Sequence, residues 1–194
     1  MHGGVILKIQ KSKIQKSRIQ HFRLQFLTRS ALFAALLCLL CPLAIPLGPI
    51  PLTLASFVVL LTACILPRRQ AVCAVILYIL LGAMGLPVFS GGRAGLGVLF
   101  GATGGFIWSY APMATLAAAG RGRGLHRQML CASAALLVCY ACGALQYALV
   151  SAVDAGAALS ACVLPFLPID VLKLICACIL GEKIRSRLLA AGLM

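Results

Sequence analysis

Leu164-Pro-Phe-Leu-Pro-Ile-Asp-Val-Leu-Lys173 places two opposite charges inside an otherwise apolar stretch. Three positions apart, Asp170 and Lys173 share one face of a helix, about one turn from each other. The chain has only three acidic residues, Asp154, Asp170 and Glu182. A charge at mid-bilayer costs about 2.5–3.5 kcal/mol on insertion scales, so intramembrane charges are rare and usually functional. Two readings compete: an ion pair that staples helices together, and a pair that grips a polar ligand. Pro165 and Pro168 break the apolar run, and proline is favoured in a first helical turn, so the main helix is predicted to begin near Pro168. Asp170 then sits in the first turn, where the helix dipole favours a carboxylate, with Lys173 one turn deeper.

The surrounding composition sets the solvent. Of 194 residues, 62% are hydrophobic and 10% charged, with mean hydropathy +1.07. A soluble domain has too much surface to hide that apolar fraction, so the bilayer is the expected solvent and helices the spanning element. No polar region is long enough to fold separately, which predicts one helical unit. The net charge of +14 would point to nucleic acid in a soluble chain. Here the basic residues fall between apolar segments, as topology requires, and no nucleic-acid motif accompanies them.

Residues 1–29 differ from the rest. Lys8-Ile-Gln-Lys-Ser12, Lys13-Ile-Gln-Lys-Ser17 and Arg18-Ile-Gln20 form a five-residue basic repeat without acidic residues. A tail lying on anionic cytoplasmic lipid fits this pattern, although a period of five holds no constant helical face. Six apolar segments follow, at about 30–47, 51–66, 70–86, 104–119, 129–150 and 157–180. Several are near the lower length limit for crossing the hydrocarbon core. Residues 188–194 form a short C-terminal tail.

With six spans and the N-terminus inside, the basic tail, Arg68, Arg69, Arg121, Arg123, Arg127, Lys183, Arg185 and Arg187 all fall on the cytoplasmic side. Only Arg93 lies in an outer loop, and the positive-inside rule favours this arrangement with both termini cytoplasmic. Arg93, Asp154, Asp170 and Lys173 then gather in the outer half, and a site open to the outside is expected.

The loop at 87–103 is glycine-rich and carries Arg93. Glycine lets backbone amides approach a ligand, and the planar guanidinium suits a carboxylate. The competing reading is a mobile outer loop with one exposed arginine. No GxxxxGK[ST] loop is present, so any ATP-driven motor belongs to other subunits. The ten cysteines all sit in apolar stretches. Cys38/Cys41 and Cys139/Cys142 have CxxC spacing, but without histidine they read as small buried hydrophobes, with neither metal nor disulfide framework expected. His2, His21 and His126 lie in the tail and a basic loop, too far for general-base work in the outer half, which argues against an enzyme.

Ala44-Ile-Pro-Leu-Gly-Pro-Ile-Pro-Leu-Thr53, Leu80-Leu-Gly-Ala-Met-Gly-Leu-Pro-Val-Phe-Ser-Gly-Gly92, Gly101-Ala-Thr-Gly-Gly-Phe106 and the Leu164–Lys173 stretch, in that order, resemble the BioY family. The resemblance covers about residues 28–187. It implies the biotin-specific substrate-binding (S) component of an energy-coupling factor (ECF) transporter: an all-α membrane protein with six transmembrane helices over residues 30–187, in a prokaryotic plasma membrane. Partners implied are biotin, membrane lipid, a transmembrane T component and two ATPase subunits, with no cofactor, metal or nucleic acid. By motif match, Asp170 and Lys173 would bind the ureido ring. Arg93 with the Gly91 and Gly92 amides would take the valerate carboxylate. Tyr78 and Phe89 would wall the fused rings, and Thr53 with its proline-rich turn would cap the site. Ala31 and Ala35 look like the family's small-residue contact with the T component, and ordinary packing within the chain is an equal alternative. An S component for another vitamin, or a ligand-free membrane assembly subunit, are the remaining alternatives.

Overall fold

The computed structural model describes residues 23–45 and 51–192. The basic repeat and the proline-rich turn at 46–50 lie outside them. Eight α-helices and one two-stranded hairpin make up the described residues, with 3-10 turns at Ser90–Gly92 and Ala118–Gly120.

α1 runs Arg23–Leu40, seven residues earlier than the expected first span. Its inward stripe is Ser30, Ala34 and Leu37, at the i, i+4, i+7 spacing of one helical face, and buried Cys41 follows just past its end. Pro42 then ends the helix, and the chain turns into β1 (Ala44–Ile45), which pairs antiparallel with β2 (Leu52–Thr53). This hairpin takes residues at both ends of the first two expected spans. α2 (Ala55–Ile65) is therefore only 11 residues long, about half a hydrocarbon thickness at ~1.5 Å per residue. Nine of its residues are buried, because α3, α5, α6 and α8 pack around it. A short helix is tolerated at this depth because protein, not lipid, surrounds it.

α3 (Arg68–Ala83) is followed by the glycine-rich segment, which holds the 3-10 turn and a short helix, α4 (Leu96–Phe100). Gly85 at φ +106° makes the sharp exit from α3. α5 (Gly104–Ala117) lies against α6 (Leu125–Ser151). A Cβ on Gly105 would strike the Cys142 carbonyl, so glycine sets how closely these helices approach. The sixth apolar segment is two helices, α7 (Ala155–Cys162) and α8 (Leu167–Ala190), bent by 56°. α8 starts one residue before Pro168, with Asp170 in its first turn, as the proline rule predicts. Asp154 caps α7 by accepting from the Gly156 amide at 3.0 Å.

By length and apolarity α1 and α6 can each cross a membrane, and the bent pair α7–α8 passes the same test when its two helices are taken together. Leu39, Leu137, Leu145, Leu149 and Leu172 are each more than half exposed, as side chains facing lipid are. Arg121 marks one end of the bundle, its Nε donating to the Ile65 carbonyl at the close of α2 (2.9 Å). Burial, and then the neighbouring Arg185 and Arg29, lower its pKa. The Asp170 end of α8 lies about 20 Å away along the helix, at ~1.5 Å per residue.

Candidate functional site

A cavity opens where the N-terminal ends of α2 and α8 meet β2. Its floor is polar. Asp170, 7% exposed, pairs with Lys173 at 2.9 Å. The second carboxylate oxygen, Oδ2, accepts from the Tyr140 hydroxyl of α6 at 2.7 Å, and Oδ1 accepts from the Ser56 hydroxyl of α2 at 3.1 Å. Lys173 Nζ also donates to the Thr53 carbonyl at 2.7 Å. The two charged side chains are 9% and 11% exposed, so bulk water screens them little. The remaining walls are largely apolar, with Phe106, Ile107 and Tyr110 from α5, Leu136 from α6 and Phe166 beside the α7–α8 break.

Local sequence explains the placement. Pro168 stops α7–α8 from being one rod, the two helices meet at 56°, and the first turn of α8 buries Asp170. The α8 dipole faces Asp170 with its positive end. Thr53 ends the hairpin, and its Oγ1 accepts from the Ala55 amide at 3.4 Å as α2 begins.

Of the residues singled out from sequence, Asp170, Lys173, Thr53 and Tyr78 line this cavity. Tyr78 donates to the Val88 carbonyl at 3.2 Å, which fixes its ring in the wall. Phe89 is fully buried behind it, edge-on at 5.7 Å between ring centroids. It fills the space beside Gly82, where any Cβ would strike its ring. Phe89 thus backs the wall. Gly91, Gly92 and Arg93 are exposed and stand outside the lining, which their turn reaches only through Ser90. The Gly91 amide donates to the Pro42 carbonyl (3.1 Å) and the Gly92 amide to the Phe89 carbonyl (2.9 Å). Arg93 Nε donates to the Ser90 carbonyl at 3.2 Å. Ala31 and Ala35 sit on the exposed face of α1, away from its buried stripe.

Tyr140, Ser56, Tyr110, Phe106 and three cysteines (Cys41, Cys139 and Cys162) were not anticipated in the lining. Tyr140 had a signal: a phenol within an apolar span needs a hydrogen-bond partner. The cysteines fill the wall as small apolar groups.

A model of the BioY family matches residues 12–190, taking in part of the basic repeat. The chain is 37% identical over 156 residues to a probable biotin transporter BioY of Pyrococcus horikoshii, covering 80% of this chain and 93% of that protein. It is 35% identical over 189 residues to a biotin transporter BioY of Rhodobacter capsulatus, covering 85% and 97%. A match to biotin transporter BioY2 of Lactococcus lactis reaches 50% identity over 90 residues but spans only half the length of that relative. Among solved structures, the S-component for biotin from an ECF-type ABC transporter aligns with a TM-score of 0.79. That alignment covers 86% of this chain and 93% of the other at 22% identity, which speaks for the fold alone.

Proposed function

The chain belongs to the BioY family, and on that premise we propose that it is the biotin-binding S component of an ECF transporter. In this reading it captures biotin at the outer face of a prokaryotic plasma membrane. Uptake is energised by a separate T component and two ATPase subunits. Six spans place both termini in the cytoplasm, with the basic segment that leads into α1 and the basic end of α8 on that side. BioY proteins are transport components, not enzymes.

The observation that carries the reading is the Asp170–Lys173 pair in the wall of a cavity lined mostly by apolar side chains. A carboxylate accepts and an ammonium donates. Side by side, they complement a ureido group, which offers both N–H and C=O, while the apolar wall receives the fused rings. Tyr78 and Thr53 contribute to that wall, with Phe89 behind it. The valerate carboxylate is assigned to Arg93 and the Gly91 and Gly92 amides. Engagement there requires the two amides to leave Pro42 and Phe89, so ligand entry and rearrangement of this turn are coupled. Ala31 and Ala35 offer the T component a shallow, lipid-facing strip for close helix approach.

Equilibrium binding of labelled biotin to the purified protein tests the assignment. Asp170→Asn and Lys173→Ala are each expected to weaken binding at least ten-fold, the scale of a lost charge-assisted hydrogen bond. Wild-type affinity in both variants would overturn it. Competition by riboflavin, thiamine or lipoate at concentrations comparable to biotin would point to a different vitamin. Esterified biotin is expected to bind more weakly to wild type and equally to Arg93→Ala if Arg93 holds the carboxylate.

A further inference from the structure

Asp170 is more completely hydrogen-bonded than ligand binding alone requires. An ionised carboxylate has about four acceptor directions. Three are taken, by Lys173 and Ser56 on Oδ1 and by Tyr140 on Oδ2. Lys173 has three N–H donors, of which one goes to the Thr53 carbonyl and one to Asp170. The residual valence of the pair is one acceptor direction, on Asp170 Oδ2, and one donor direction, on Lys173 Nζ, from side chains on one helical face. That pattern fits the edge of a cyclic urea or lactam, where N–H and C=O are adjacent and cis.

The three donors to Asp170 come from three helices. Ser56 sits in the first turn of α2, Tyr140 in the middle of α6 and Lys173 on α8 itself. Ser56 is 114 positions from Asp170 in sequence and Tyr140 is 30. Neither is needed to end a helix or fill a void with a hydroxyl, since Phe and Ala occupy nearly the same space less one oxygen. Each hydroxyl takes one lone-pair direction away from incoming ligand and holds the carboxylate plane against rotation. A freely turning carboxylate would offer two or more acceptors and would have to be ordered by the ligand on binding, at a cost in affinity.

We infer that Tyr140 and Ser56 are positioning residues that saturate the Asp170 carboxylate and aim its last acceptor direction at a single N–H of a cyclic urea edge. The inference rests on the biotin reading above and extends it to two residues that act through Asp170.

The experiment uses the purified full chain with biotin as probe, comparing wild type, Tyr140→Phe and Ser56→Ala. Affinity is measured by calorimetry, and the carboxylate is read by infrared difference spectra of protein labelled with 13C-aspartate. The chain has only two aspartates. Asp154 is exposed and caps α7, so a change in the labelled band reports Asp170. Expected are a loss of about ten-fold for Tyr140→Phe and a few-fold for Ser56→Ala, as for hydrogen bonds to a charged group. Each loss should come with a displaced carboxylate band in the ligand-free protein. Wild-type affinity in both variants overturns the inference, as does weaker binding with an unmoved band, which marks a merely structural role. Failure of the wild-type protein to bind biotin overturns the functional reading instead, and the two failures are distinguishable.

Discussion

Gly143 lies where α6 crosses α5, and a Cβ built there would run into the Phe106 ring. Phe106 lines the cavity, so the smallest possible enlargement on α6 presses on the ligand site. Gly143→Ala is expected to displace Phe106 and weaken biotin binding. The cost to stability should be about 1–3 kcal/mol, as for other overpacked positions, and calorimetry beside thermal unfolding in detergent separates the two. Unchanged affinity would mean that the ring moves away from the cavity. The same residue-level logic covers Asp170. Its partners Tyr140, Ser56 and Lys173 come from the protein itself, and they offset the desolvation of a buried charge. An ion pair serving only as a staple between helices would not need to face a cavity.

The elbow between α4 and α5 leads into the helix that carries Phe106, Ile107 and Tyr110 to the cavity. Gln146 of α6 donates from Nε2 to the Leu99 and Gly101 carbonyls at 2.9 and 2.8 Å, and Trp108 donates to Leu99 at 3.0 Å. These bonds satisfy carbonyls that the end of a five-residue helix leaves open. Gln146→Leu is expected to cost about 1 kcal/mol, because the Leu99 and Gly101 carbonyls each lose one donor while keeping the Trp108 indole and the Gly104 amide. Hydrogen exchange should quicken at residues 96–104, while α2 and α8 stay protected. Equal acceleration throughout would show that Gln146 supports the whole bundle. One element was legible from residue order alone: Pro165 with Pro168 divides the last apolar segment near the expected place. The first span was expected to run through Pro42 to residue 47, whereas α1 ends at Leu40. The hairpin was not legible. Ala44–Ile45 and Leu52–Thr53 read as ends of apolar spans, because two-residue strands carry no period.

For the whole molecule, the basic residues define one end and the cavity the other. Arg121, Arg185 and Arg29 gather at the first, while Asp170, Lys173 and Thr53 gather at the second. The proposed topology predicts that a fluorescent protein fused to the C-terminus glows and that alkaline phosphatase fused there is inactive. An active phosphatase fusion would reverse the orientation. Ala31→Trp with Ala35→Trp should leave biotin affinity unchanged, since both face away from the bundle, and should reduce co-purification of the T component. Unaltered co-purification would remove α1 from that interface.

Hydropathy, the proline positions and the scarcity of acidic residues determined the class of the protein, the break in its last apolar segment and the pair at its polar centre. Those are local signals: a charge in an apolar run, or a proline in a helix, has an energetic consequence wherever the chain goes. Which groups meet that pair was decided only by the tertiary structure. Tyr140 and Ser56 reach Asp170 because α6 and α2 pack beside α8, and nothing in their own neighbourhoods encodes that meeting. The same holds for the glycine turn. Its composition marked amides free to approach a ligand, yet the fold brings Pro42 to Gly91 and turns Phe89 back on Gly92. A backbone amide takes the nearest carbonyl the packing supplies, so the role of Asp170 is written in its chemistry and the company it keeps is set by the bundle.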